Sequence, residues 1–71
     1  MSNKDKGNDA FRAKSFETAI EFYTEAIKEN PQDHTIFGNR AAAHHNLRNW
    51  DSAMEDAESC ISIKPDWGKG Y

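Results

Sequence analysis

The strongest constraint on this chain is that it repeats itself. Residues 15–31 and 49–65 follow one plan at an offset of 34. Ser15 aligns with Asn49, Phe16 with Trp50, Glu17 with Asp51, Ala19 with Ala53, Ile27 with Ile61 and Pro31 with Pro65. A period of this length marks a supersecondary unit that cannot bury its apolar face alone and stacks on its neighbours. Inside each repeat the apolar residues recur three and four apart. They are Phe16, Ala19, Ile20, Tyr23, Ala26 and Ile27 in the first, and Trp50, Ala53, Met54, Ala57, Cys60 and Ile61 in the second. That spacing predicts helices over 16–27 and 50–61, each with a polar cap residue (Ser15, Asn49), an early acid and a closing proline. Two further helices are predicted over about 2–14 and 33–47, the second from Ile36, Phe37, Ala41, His44 and Leu47. No alternating strand pattern competes. The expected fold class is all-α, a helix A and a helix B twice over.

The organisation expected is a single truncated domain, 1–71, with repeats at about 1–33 and 34–67 and a third opening at 68–71. In "KPDWGKGY" the proline stops the second helix B and the remainder reads as the first turn of another helix A. Because stacks need about three units to bury a continuous core, the second helix B is expected to keep an uncovered apolar side. Self-association through that uncapped second repeat is a further expectation.

Composition narrows the function classes. A chain of 71 residues buries only about 60% of its unfolded surface, so it forms one small domain. Cys60 is the single cysteine, which excludes an internal disulfide and suits a reducing, cytoplasmic setting. The charged start lacks the apolar core of a leader, and Ala41–Ala43 is the longest apolar run, so no membrane partner is expected. A net charge of −3 argues against nucleic acid as a partner. Locally the charge divides. The A stretches hold Lys4, Lys6, Arg12, Lys14, Arg40, Arg48 and Lys69 against four aspartates, whereas the B stretches hold two lysines against eight acids.

Nothing here points to catalysis, a metal or a cofactor. Cys60 aligns with Ala26 and is expected as buried filler between helices. His44 and His45 are adjacent, hence about 100° apart on a helix, and cannot chelate together. The four glycines never form a phosphate loop. Trp50 and Trp67 are expected as packing anchors rather than base-stacking platforms.

The helix-turn-helix period of 34, the alanines where helices must approach and the aromatic residue opening helix B resemble the tetratricopeptide repeat. The resemblance covers nearly the whole chain. It departs from the pattern early in the first helix A, where Asn3 stands in place of a large apolar residue, and the small residue near position 8 is Gly7 in one unit and Ala41 in the other. The resemblance implies a right-handed solenoid fragment whose A helices line a concave, basic groove, with the acidic B helices outside.

"NKDKGNDAF" puts Lys4 and Asn8 four apart on one helical face, "FGNRAAA" places Asn39 in the second helix A, and "DWGKGY" supplies Lys69. These residues look like the two-carboxylate clamp of co-chaperone tetratricopeptide domains, most closely those of the organising co-chaperones that link the 70- and 90-kilodalton heat-shock chaperones. The resemblance implies a non-enzymatic adaptor that takes the C-terminal Glu-Glu-Val-Asp tail of such a chaperone, the 70-kilodalton class preferred. Lys4, Asn8, Asn39 and Lys69 would grip the carboxylates, and Phe11 and Ala42 would meet apolar parts of the tail. The residue types suit that task, since lysines supply charge-assisted bonds and asparagine amides donate without adding charge. Taken singly, each would be read as surface or as a helix cap. A second reading is a structural or targeting module for protein assembly, for instance within a larger prolyl isomerase or phosphatase. The two readings differ in whether the ligand must carry a free terminal carboxylate.

Overall fold

Four helices account for the part of the chain that the computed structural model describes, residues 1–63: α1 (Asn3–Arg12), α2 (Phe16–Glu29), α3 (His34–Asn46) and α4 (Trp50–Ile63). Two of the starts are capped by side chains. Ser2 Oγ accepts from the Asp5 amide at 3.1 Å, and Asp33 Oδ1 accepts from the Thr35 amide at 3.0 Å, each satisfying an orphan donor of the first turn. Ser15 occupies the cap position of α2, but its hydroxyl makes no cap bond. Its carbonyl accepts from Ala19, as that of Asn49 does from Ala53.

α1 and α3 end in the same turn, which trims them to Arg12 and Asn46, short of the predicted limits. The amide of Ser15 bonds the carbonyl of Ala10 while that of Lys14 bonds Phe11; Asn49 bonds His44 while Arg48 bonds His45. This is the paired six-to-one and five-to-two pattern of a Schellman turn. It requires a left-handed residue, and Lys14 and Arg48 each have φ of 64°.

Each helix packs on its neighbours in sequence. Ala19, Tyr23, Ala26 and Ile36 form the core, with Ala10, Phe11 and Ile27 against it. Small residues set the close approaches. The Tyr23 ring lies over Gly7, where a Cβ would come within 2.6 Å of Cδ1 and Cε1. The second unit resolves this contact differently, for it carries Ala41 and Ala57 at the two equivalent positions. An edge-on pair braces each A-to-B turn: Phe11 with Phe16 at 5.2 Å between centroids, and 34 residues on His45 with Trp50 at 4.9 Å.

The second helix B keeps the uncovered apolar side expected of it. Trp50 packs edge-on against His45 yet stays 54% exposed, with Met54 and Ile61 exposed beside it, because among the described residues no helix lies over this side of α4. Cys60 is half-buried rather than fully enclosed. Trp67 lies outside the described residues. No helix among the described residues is long and apolar enough to cross a membrane.

Candidate functional site

α1 and α3 bring Asn8 and Asn39 together although 31 positions separate them, and Asn39 Nδ2 donates to Asn8 Oδ1 at 3.1 Å. The same oxygen accepts the Tyr23 hydroxyl from α2 at 2.6 Å. Beside this junction opens a cleft of about 170 Å³ lined by Asn8, Phe11, Arg12, Tyr23 and Asn39. Three of the expected site residues, Asn8, Asn39 and Phe11, therefore share one cavity. Ala42 does not line it. It borders a broader apolar depression of about 480 Å³ with Ala41, His45, Trp50, Ala53 and Met54. Lys69 lies outside the described residues.

Lys4, one turn before Asn8, is paired: its Nζ stands 3.1 Å from Asp33 Oδ2. The bond from the Thr35 hydroxyl, helped by Lys4, holds the Asp33 carboxyl below the usual carboxylate range against its partial burial. An ammonium has three donors, so this pair leaves Lys4 able to bond a second acceptor. Burial pushes the Tyr23 phenol above its ordinary value, and the nearby Arg12 cation opposes the rise.

The division into a basic groove and an acidic outer side holds less cleanly than the sequence suggests. Arg40 reaches across to α4 and grips Asp56 with two bonds, Nε to Oδ2 at 2.7 Å and Nη2 to Oδ1 at 2.6 Å. A third donor, Nη1, bonds Thr24 Oγ1 of α2 at 3.1 Å, and His44 Nε2 lies 3.7 Å from Asp56. Asp56 is buried, so the Arg40 charge is spent inside the fold and adds nothing to a ligand site. The equivalent slot of the first unit holds Lys6 and Phe22, in contact as a cation over a ring at 5.8 Å. Arg12 pairs with Asp9 on the rim of the cleft.

Sequence reasoning missed Tyr23 and Arg12 as members of the site. The signal for Tyr23 was its hydroxyl on a packing ring in the unit that carries Asn8, where the second unit has Ala42 and Ala57; for Arg12 there was only its place among the groove-side cations. Among the described residues no group of three or more histidine, cysteine or acidic side chains could hold a metal.

This geometry can be set against known proteins. The chain is similar to Hsp70-Hsp90 organizing protein 2 of Arabidopsis thaliana, 47% identical over 67 residues that make up 94% of this chain and 12% of that protein. It is also similar to small glutamine-rich tetratricopeptide repeat-containing protein 2 of Saccharomyces cerevisiae, 50% identical over 96% of this chain and 20% of that protein. The Hsp70-Hsp90 organizing protein of Triticum aestivum is 43% identical over 96% of this chain and 12% of its own length. The chain thus spans a fifth or less of these relatives. The model of the tetratricopeptide repeat matches residues 10–33 and 34–66, the two halves already distinguished by their period and their matching turns. With four helices among the described residues in the order A, B, A, B and both halves matched by the repeat's model, the chain belongs to the tetratricopeptide repeat family.

Proposed function

We propose that this chain is a non-enzymatic peptide-binding adaptor of the co-chaperone class, working in the cytoplasm. Its ligand is the C-terminal Glu-Glu-Val-Asp tail of a heat-shock chaperone, the 70-kilodalton class before the 90-kilodalton one, held by a two-carboxylate clamp. The observation that carries this reading is the meeting of Asn8 and Asn39, from equivalent helices of the two units, at the wall of an open cleft. Their amides and the spare donors of Lys4 suit an acceptor-rich, doubly anionic chain end. Lys69 takes the same role from the third unit, Phe11 supplies the apolar wall, and Ala42 meets the tail further along. The names of the relatives in A. thaliana and T. aestivum support a co-chaperone adaptor.

A second reading is favoured by the exposed apolar face around Trp50 and Met54: a module whose role is assembly with other repeats or copies. One titration separates the two. A fluorescent peptide ending in Glu-Glu-Val-Asp is expected to bind, and its C-terminally amidated copy to bind at least about tenfold more weakly, since one bond to a charged acceptor is worth about 1.5–3 kcal/mol. Asn39→Ala should weaken the free peptide by a similar factor with helicity unchanged. Equal binding of the free and amidated peptides would overturn the clamp and leave the assembly module.

A further inference from the structure

We infer that Tyr23 is a positioning residue that fixes the polarity of the Asn8–Asn39 amide pair, so that the cleft offers a ligand N–H donors rather than a mixture of donors and acceptors. The inference rests on the clamp reading and names what makes that site choose a carboxylate over an amide.

A side-chain amide can be turned end for end at little steric cost, and the two orientations present opposite chemistry. In one, Asn8 Oδ1 faces the interior and collects both the Tyr23 hydroxyl and Asn39 Nδ2. Among the described residues its own Nδ2 is then unspent, as is the second proton of Asn39 Nδ2. In the other, Asn8 turns its Nδ2 inward, Asn39 must turn its oxygen towards it, and Asn8 presents an acceptor outward. A carboxylate would meet repulsion there.

The phenol decides between them. Tyr23 is 1% exposed, and among the described residues its hydroxyl has one hydrogen-bond partner, Asn8 Oδ1. Were Asn8 reversed, the phenol could accept from Nδ2, but its own proton would have no acceptor, and a buried unsatisfied donor is costly. Burial also keeps the phenol protonated, hence a donor, across the neutral range. The ring cannot move away to relieve a mismatch, because it is seated against Gly7. The repeat pattern calls for an aromatic ring four residues after Ala19, and a phenylalanine would fill that place; the hydroxyl is what the packing itself does not require.

The test is a comparison of selectivity, not of affinity alone. The free and amidated Glu-Glu-Val-Asp peptides are titrated against the 71-residue chain and against Tyr23→Phe, with circular dichroism as the check on folding. Tyr23→Phe keeps the ring against Gly7 and removes only the donor, so the free-over-amidated preference should fall roughly tenfold. Replacing Tyr23 by p-aminophenylalanine, which restores a donor, should recover it. A merely structural role would weaken both peptides alike and leave the ratio unchanged, and that result overturns the inference while the clamp stands. A wild-type chain that ignores the carboxylate overturns the clamp instead. A ligand-free readout covers that case and a Tyr23→Phe chain that fails to fold. Both protons converge on Asn8 Oδ1, so the Tyr23 hydroxyl proton should show a nuclear Overhauser contact to the Asn39 side-chain amide. Its absence from a spectrum that resolves both protons would refute the assigned polarity.

Discussion

Gly7 and Gly38 both stand inside A helices, yet adding a methyl group should move stability in opposite directions. For Gly7→Ala the helix itself gains, since alanine exceeds glycine by about 1 kcal/mol in a helix interior. Against that, the new Cβ would stand 2.6 Å from two atoms of the Tyr23 ring. This is an aromatic ring held in the core, not the free end of a flexible side chain, and forced overpacking of this kind costs about 1–3 kcal/mol. Displacing the ring also strains the phenol's bond to Asn8, worth about 1 kcal/mol. The sum is a net loss of about 1–3 kcal/mol. For Gly38→Ala the Cβ meets Cys60 Sγ at 3.5 Å, an ordinary contact, and the propensity gain of about 0.5–1 kcal/mol stands unopposed. In a domain of this size each kcal/mol moves the melting temperature by about 4–8 °C, so thermal unfolding followed at 222 nm resolves both changes. A double-mutant cycle isolates the cause: in a Tyr23→Ala background, which imitates the second unit's Ala41 and Ala57, Gly7→Ala should become stabilising. A Gly7→Ala chain that melts at or above wild type, with Tyr23 intact, would refute the reasoning.

Other perturbations follow from the same packing. Removing one partner of the Arg40–Asp56 pair, as in Asp56→Ala, strands a largely enclosed guanidinium and should cost about 3 kcal/mol or more, enough to unfold most of the chain in circular dichroism at 37 °C. Lys14→Gly and Arg48→Gly relieve left-handed backbone at φ of 64° and should each raise the unfolding free energy by about 0.5–1 kcal/mol, read as a higher urea midpoint; a loss in either would show that the side chain contributes more than the strain costs. The Asp33 carboxyl is held below its unfolded value by Thr35 and Lys4, so its contribution is present above about pH 4 and lost as pH falls through the lower folded value. Urea midpoints measured from pH 6 to pH 2.5 should therefore drop less steeply in Asp33→Asn than in wild type.

The helices were legible because their causes are local. A period of three and four, a proline after each helix B and an offset of 34 suffice to locate Phe16–Glu29 and Trp50–Ile63 within two residues. Helix ends were less legible, since the Schellman turns depend on Lys14 and Arg48 adopting a conformation that their residue types do not advertise. At the site, Asn8 and Asn39 were singled out by the resemblance of their motifs to the clamp; that their amides bond each other was not legible, since only the packing of α1 beside α3 brings them together. Nor was the direction of Arg40, because a long side chain on an A helix can point to the groove or across to helix B, and only the position of Asp56 decides. The exposure of Trp50 follows from the number of units, since aromatic character leads to burial only where another element covers the residue.

The guanidinium of Arg40 touches three helices at once, α3 that carries it, α4 through Asp56 and α2 through Thr24. Thr24 belongs to the first unit and the other two residues to the second. In a linear array, stability divides into a part intrinsic to each unit and a part belonging to the interface between neighbours. Thr24→Val cuts the contact with Arg40, together with the hydroxyl's local bond to the Ile20 carbonyl, and touches chiefly the interfacial part. The expected consequence is a loss of cooperativity: amide protons of α4 would exchange well before those of α2, whereas in the intact chain the two helices surrender their protection together. Beside the apolar seam in which Ile36 packs against Ala19, Tyr23 and Ala26, the Arg40 side chain adds a polar tie between the two short units.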